Sequence, residues 1–422
     1  MEYREWDMYD YILESKAAVR NIVENQDTIF EQALNYCKEK KFEQIYILGS
    51  GTSYHASVAA KKIVEDKLGV KVINMYPMEF VDNEQVFNPN TLVIGVSHAG
   101  RSSSTIRALD KARELGFLTI AMTAERERPI TEHADCCVYI EIGDEFAGPK
   151  TKGYIGSIAT IAMLGLKLAV QNEKIEEKEK QDLEKRMLDT SDQIPDIAEC
   201  AWAWYRENAE NLKKCRRLIV LGYESCMSAM LEGTLKILEA VRYSVVGYEM
   251  EEFMHGVYHS IDQDTYLLYL GCPGKHYQRM VNMMKYFGER DHAHNYMVTS
   301  EKEQESKENF VYPFQNDPYF ASMEYVVPLQ VIARKLSLDL GIDCNISSDP
   351  NFHKKMGKLY LLSKNDIVKR ICHQLTKNDE TAIISNMMKQ GRFRKAARGA
   401  FLTLLFFYYN MNDISHYSME GD

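Results

Sequence analysis

The chain repeats itself. Leu218-Ile-Val-Leu-Gly222 reprises the stretch from Ile45 to Gly49 at an offset of 173 positions, and Glu79-Phe80 returns as Glu252-Phe253 at the same offset. Thr91-Leu-Val-Ile-Gly-Val is echoed by Thr265-Tyr-Leu-Leu-Tyr-Leu at 174. Three landmarks in one register define a duplicated unit, which restricts the chain to two copies of one architecture. Within the first copy, short apolar stretches alternate with helical patterns. Ile45 to Leu48 leads through Gly49-Ser-Gly-Thr-Ser53 into a helix to Leu68, and Val70 to Met75 follows. Thr91 to Ser97 leads through Ala99-Gly100 into a helix to Leu115, and Leu118 to Thr123 and Cys137 to Ile142 complete the series. Strands alternating with helices predict a parallel sheet covered on both faces. The expected fold is α/β, with two tandem αβα sandwiches.

Three segments flank or join the copies. Residues 8 to 40 carry apolar positions at helical spacing with neither Gly nor Pro, a helical N-terminal segment. Residues 171 to 190 mix Glu173, Lys174, Glu176, Glu177, Lys178, Glu179 and Lys180, which reads as a solvated connector helix. Beyond about residue 360 the chain fits neither copy: Asp366 to Leu375, Thr381 to Lys389 and Arg392 to Asn410 read as a helical C-terminal extension. The expected division is 1–190, 191–360 and 361–422.

Charge and cysteine usage narrow the function. Lys and Arg number 51 against 61 acidic residues, a net charge of −10, which argues against a general nucleic-acid binder. A small anionic metabolite remains compatible, because backbone amides and hydroxyls hold anions without a basic surface. The nine cysteines contain no C-x-x-C pair and read as reduced, mostly buried thiols. The N-terminus lacks the apolar core of a signal peptide, and the run from Phe401 to Tyr409 is short of a bilayer span. The expectation is a cytoplasmic globular protein with no membrane partner.

Two strand-to-helix loops carry the chemistry-bearing residues of the first copy. Gly49-Ser50-Gly51-Thr52-Ser53 fits an anion or polyol loop and equally a tight turn capped by serine. Ser97-His98-Ala99-Gly100-Arg101-Ser102-Ser103-Ser104-Thr105 sets four consecutive hydroxyls where helix amides are unsatisfied. Such a loop can wrap a phosphate, with Arg101 adding charge; the plain alternative is a capped helix start. In an open α/β sheet both loops lie at the carboxyl ends of strands, where ligands collect. In the second copy, Lys236 and Glu239 share a helix face in Glu232-Gly-Thr-Leu-Lys236-Ile-Leu-Glu239. A surface salt bridge is the plain reading. The apolar neighbours Leu231, Leu235 and Leu238 also allow a buried proton-transfer pair. His255 and His259 lack the glutamate a zincin requires, so no metal and no cofactor are expected, and a proton-shuttling histidine fits the loop better.

Together these motifs resemble the sugar isomerase (SIS) family, in particular the isomerase half of glucosamine-6-phosphate synthases, over roughly residues 30 to 360. The family's helix motif Glu-Gly-x-Leu-Lys-x-x-Glu is matched residue for residue. The resemblance implies two αβα subdomains, a homodimer and an active site near the subunit interface. It implies that Glu239 moves a proton between sugar C1 and C2, that Lys236 assists, and that His255 opens the sugar ring, often from the neighbouring subunit. Gly51, Thr52, Ser53, Ser97, His98, Gly100, Arg101, Ser102 and Ser103 fall on the phosphosugar-binding loops. Where the family has Ser-x-Ser-Gly-x-Thr, this chain has Ser97-His98-Ala99-Gly100-Arg101-Ser102. Where it has Ser-Thr-Lys-Ala-Phe, this chain has Lys150-Thr151-Lys152-Gly153-Tyr154. Lys150 thus replaces a ligand-contacting serine, and Lys358 is the counterpart of a tail lysine near the sugar. Ser-His-x-Gly also resembles fructosamine-6-phosphate deglycases. With Glu2 second in the chain there is no N-terminal cysteine nucleophile, so a glutaminase half is not expected. The function implied is a phosphosugar isomerase or aminosugar-phosphate enzyme. The alternatives are an Amadori-product deglycase acting on a sugar–amino acid conjugate and a non-catalytic regulator that binds a carbohydrate derivative.

Overall fold

The N-terminal helical pattern folds as two helices. α1 (Met8–Glu24) and α2 (Gln26–Cys37) part at Asn25, whose side-chain amide donates to the Asn21 carbonyl at 3.0 Å and so interrupts the ladder. Asp7 caps the first helix, accepting from the Tyr9 amide at 2.7 Å. The computed structural model describes residues 6–349 and 351–356, which fall in one compact unit. The C-terminal extension and Lys358 lie outside the described residues.

The first copy runs β1 (Gln44–Leu48), α3 (Thr52–Leu68), β2 (Lys71–Met75), α4 (Pro77–Asp82), β3 (Thr91–Val96), α5 (Ser103–Glu114), β4 (Leu118–Thr123) and β5 (Cys136–Tyr139). Its five strands are all parallel, in the order β2-β1-β3-β4-β5. α6 (Lys152–Gln171), α7 (Glu177–Asp192) and α8 (Ile194–Leu212) follow. The second copy comprises β6 (Arg217–Gly222), α9 (Met227–Val241), β7 (Ser244–Glu249), α10 (Met250–Phe253), β8 (Tyr266–Gly271), α11 (Tyr277–Arg290), β9 (His294–Thr299) and β10 (Phe310–Val311). α12 (Ala321–Asp339) and the short α13 (Phe352–Lys355) close the described chain. The second sheet is again parallel and repeats the first order: β7-β6-β8-β9-β10.

Burial explains why these strands read so plainly. Successive side chains of a strand point to opposite faces, and here both faces are covered. Ile45 and Ile47 enter one core with α1, α3 and α6, while Tyr46 and Leu48 enter another with Phe80, Ile106 and Leu109 of α4 and α5. In the second sheet, Leu218 and Val220 join the first of these cores, whereas Ile219 and Leu221 meet Phe253, Met280 and Phe287 of α10 and α11. The shared core runs through α3, α6, α9 and α12, so the halves are fused by a common helical layer.

One helix differs from the charge reading, and another is more apolar than a surface helix. α7 is a packed helix and not a solvated connector: Lys180, Leu183, Glu184 and Met187 are buried, and it packs on α1 and α12. The Lys180 ammonium stays satisfied by Glu184 and Gln26, each at 2.8 Å. α6 is long and apolar enough by composition to cross a bilayer, yet 89% of that window is buried inside the protein against α1, α2 and α3.

Candidate functional site

The strand order reverses between β1 and β3, so the loops leaving their carboxyl ends splay apart and open a crevice. Helix α9 of the second copy closes it. The resulting cavity, about 260 Å³, is lined by Gly51, Thr52 and Ser53 from the first loop and by Ser97, His98, Arg101 and Ser102 from the second. Leu235 and Glu239 of α9 and His353 of α13 complete the wall.

Each loop holds its shape for a local reason. Gly51 has φ +56°, a left-handed conformation that suits glycine, and it delivers the chain into α3. Gly100 has φ +63° and lies buried against Thr123 Oγ1, 2.9 Å from where a β-carbon would stand. It shapes the turn from behind and does not line the cavity. Ser102 is the N-cap of α5: its hydroxyl meets Ser104 Oγ and Thr105 Oγ1, each at 3.1 Å, and its amide faces Ser97 Oγ at 3.4 Å. Ser103 begins α5 and is not part of the cavity wall. Hydroxyls therefore crowd the start of a twelve-residue helix, an arrangement suited to an anion.

His98 is wedged into the wall. Its ring lies over Gly153, where a β-carbon would stand 2.7 Å from His98 Cε1 and 2.9 Å from Glu145 Oε2. Burial holds its imidazole below the usual histidine range, so it is neutral near pH 7, and its Nδ1 has no hydrogen-bond partner among the described residues. Glu145 caps α6, accepting from the amides of Thr151 at 2.7 Å, Lys152 at 3.1 Å and Gly153 at 2.8 Å. Lys150 does not line the cavity. Its ammonium is turned onto the Glu145 carbonyl, and burial lowers its pKa.

Behind the cavity wall stands a chain of charges. Glu232 is fully buried; its carboxylate accepts from Thr52 Oγ1 at 3.0 Å, meets His55 Nδ1 at 2.7 Å and lies 3.5 Å from Lys236 Nζ. Lys236 is 1% exposed and pairs with Glu239 at 2.7 Å. Burial pulls the Lys236 pKa down, but Glu232 and then Glu239 outweigh it, so the net shift is upward and the group is an ammonium. Glu239 itself has 39% of its side chain exposed and faces the cavity. The sequence reading left a surface salt bridge and a buried proton-transfer pair open. The sequestered acid is Glu232, and Glu239 is the open one.

His255 sits on the turn after α10, exposed and away from this cavity. Sequence reasoning missed two residues. Glu232 is in the recognised helix motif, four positions before Lys236, which was signal enough. His353 lies in the short α13 after α12, where neither motif nor periodicity marks it. Among the described residues no group of three or more His, Cys, Asp and Glu side chains is placed to hold a metal. The arrangement offers a hydroxyl-rich end suited to an anion and an open carboxylate in one crevice, with a buried ammonium behind its wall.

Residues 39–167 match the SIS domain. A glutamine–fructose-6-phosphate aminotransferase (isomerizing) of Clostridium tetani is 27% identical over 326 residues, covering 75% of this chain and 52% of that protein. The isoform 2 enzyme of Homo sapiens is 24% identical, covering 72% and 45%. The chain spans about half the length of the curated relatives it matches. Among solved structures, a Clostridium difficile 630 protein provisionally named a phosphosugar isomerase superposes with TM-score 0.79 and 28% identity, covering 84% of this chain and 99% of that one. The C-terminal domain of glucosamine-fructose-6-phosphate aminotransferase from Francisella tularensis shares the fold, with TM-score 0.72, 17% identity, and 81% and 98% coverage.

Proposed function

Starting from a chain that carries a SIS domain within two tandem sandwiches, we propose that it is a phosphosugar-processing enzyme of the ketose–aldose or aminosugar-phosphate isomerase type. The observation that carries this reading is that Glu239 and the hydroxyl-rich Ser97 loop open onto one cavity. The loop, with Thr52 and Ser53, holds the phosphate, and Arg101 adds charge. This leaves the carbonyl end of the sugar toward α9. Glu239 takes the proton from the carbon beside the carbonyl, and the C–H electron pair becomes the C1–C2 double bond. The carbonyl pair moves onto its oxygen, which takes a proton from the neighbouring hydroxyl or water to give an enediol, or an enolamine where the neighbour is nitrogen. Glu239 then returns its proton at the former carbonyl carbon as the other heteroatom gives up its proton and the new carbonyl or imine forms. Lys236, held as an ammonium 2.7 Å from Glu239, positions that carboxylate from behind the cavity wall. His255, exposed and off the cleft of its own chain, suits a side chain supplied to a neighbouring copy in a homodimer.

A second reading, fructosamine-phosphate deglycase, is favoured by the Ser97-His98-Ala99-Gly100 loop, whose imidazole is seated over Gly153 and stands in the cavity wall. Incubation with hexose 6-phosphates and with fructosyl-amino-acid 6-phosphates separates the two, since the first yields sugar interconversion and the second free amino acid. Binding without turnover of either panel identifies a regulator instead.

A further inference from the structure

The second copy has a crevice of its own. It lies between the loops leaving β6 and β8, and α3 of the first copy closes it, as α9 closes the first cavity. At about 500 Å³ it is within the size range of small-molecule sites. Comparison at the 173-residue offset shows what has changed. Leu235 of the first cleft corresponds to Lys62, and Gly51 corresponds to Glu224. The turn keeps its left-handed conformation, with φ +56° at Gly51 and +45° at Glu224. A glutamate adopts that region only against steric resistance. The consequence is a carboxylate at the crevice wall: Glu224 Oε2 lies against Gly274 of the β8 loop, 3.2 Å from where a β-carbon would stand. The His276 Nε2 lies 3.7 Å from the Glu224 carboxylate.

The opposite wall carries the complementary charge. Three cations surround the Tyr319 ring: Lys62, Lys67 and Arg186. Lys67 is paired with Asp66 at 3.0 Å and Glu179 at 3.1 Å, and Arg186 with Asp317 at 2.7 Å. Lys62 makes no ion pair among the described residues. Lys62 and Glu224 thus face one cavity with opposite charges and are not paired with each other. Ser225 and Asn316 add polar groups between them. A carboxylate on the loop disfavours a phosphate there, while an unpaired ammonium across the cavity favours an anionic group at the other end.

We propose that this second cleft binds a small zwitterion of the α-amino-acid type, its carboxylate on Lys62 and its ammonium on Glu224, with its side chain in the remaining volume. The site binds without reacting. The position corresponding to Glu239 is Asp66, whose carboxylate is tied to the Tyr319 hydroxyl and Lys67 and does not line the cavity. The inference is independent of the chemistry assigned to the first cleft.

The test uses the full chain, thermal-shift fluorimetry and isothermal titration. The probes are glycine, alanine and glutamine, their N-acetyl derivatives, which lack the ammonium, and methylamine and ethylamine, which lack the carboxylate. At least one amino acid binds at a single site per chain and raises Tm, whereas neither truncated series does. Lys62→Ala and Glu224→Gln, both at exposed positions, each weaken that binding at least about tenfold, and Ser102→Ala in the first cleft leaves it unchanged. Tm and circular dichroism of the unliganded variants confirm that they fold. The proposal is overturned if no amino acid binds, if N-acetyl derivatives or amines bind equally well, or if affinity survives both substitutions. It is equally overturned if Ser102→Ala alone abolishes binding.

Discussion

Replacing Glu232 with Gln tests the charge chain at its buried root. The carboxylate is fully inaccessible and has three partners: the Thr52 hydroxyl at 3.0 Å, His55 at 2.7 Å and Lys236 at 3.5 Å. Removing one member of a buried ion pair costs about 3–5 kcal/mol, because the surviving charge is left uncompensated. Two features reduce that here. Glutamine keeps the shape and part of the hydrogen bonding, and Glu239 remains 2.7 Å from the Lys236 ammonium. A loss of about 2–4 kcal/mol near pH 7 follows. The pH dependence is diagnostic. In the parent chain the Lys236 pKa is raised above 10.5, so its stabilising contribution is complete below that value and is lost only as pH rises through the folded-state pKa. Glu232 is the largest influence raising it, so the variant's Lys236 gives up its proton at lower pH and sheds the uncompensated charge. The difference between parent and variant is therefore full near pH 7 and narrows on going to about pH 10. Urea unfolding at the two pH values measures it. A difference under about 1 kcal/mol near neutrality, or one that widens with pH, would refute the reasoning.

Five further substitutions probe the account. Glu239→Gln leaves ligand affinity within about tenfold but abolishes turnover, since the lost group acts on the transition state; titration calorimetry beside a turnover assay separates the two effects. Ser102→Ala removes the N-cap hydroxyl of α5, costing about 1 kcal/mol of stability, and on the proposed phosphosugar reading raises KM for a sugar phosphate more than it lowers kcat. Gly153→Ala sets a methyl against His98 and Glu145; overpacking of about 1–3 kcal/mol should displace the imidazole, and His98→Ala in the same chain should relieve the loss, read as a double-mutant cycle in Tm. Glu324 is wholly buried, and burial raises its pKa to about 7, against backbone bonds from Gln315 and Asn316 at 3.0 and 3.3 Å. A raised carboxyl pKa means that the native state holds the proton longer. Stability from this group therefore falls as pH climbs from about 4.5 through about 7, by about 3 kcal/mol in all. Glu324→Gln should flatten that slope in unfolding measured at mildly acid and mildly alkaline pH.

Much of the fold was legible because its strands are buried on both faces and therefore appear as continuous apolar runs such as Ile45 to Leu48 and Thr91 to Val96. The duplication then supplied the second sheet. Helices were harder. The break at Asn25 depends on one side-chain bond, and the burial of Lys180 and Glu184 in α7 depends on neighbours from α1 and α12 that no local charge pattern announces. In the cavity, the loops were visible as hydroxyl-rich strand-to-helix turns. Lys150 was not readable, since its choice of the Glu145 carbonyl over the cavity is set by how Glu145 caps α6. The exposure of Glu239 against the burial of Glu232 is likewise set by the angle at which α9 crosses the first copy, and spacing along one helix does not encode that.

The most direct measurement is proton exchange at the sugar. The chain is incubated in deuterium oxide with fructose 6-phosphate, glucosamine 6-phosphate and a fructosyl-amino-acid 6-phosphate, and deuterium at C1 and C2 is followed by NMR. Solvent deuterium should enter one of these positions with the parent chain and not with Glu239→Gln, although both bind the ligand. Ligand binding with no label entering any of the three sugars, or label entering at equal rates in the variant, would contradict a proton-transferring role for the carboxylate at 239.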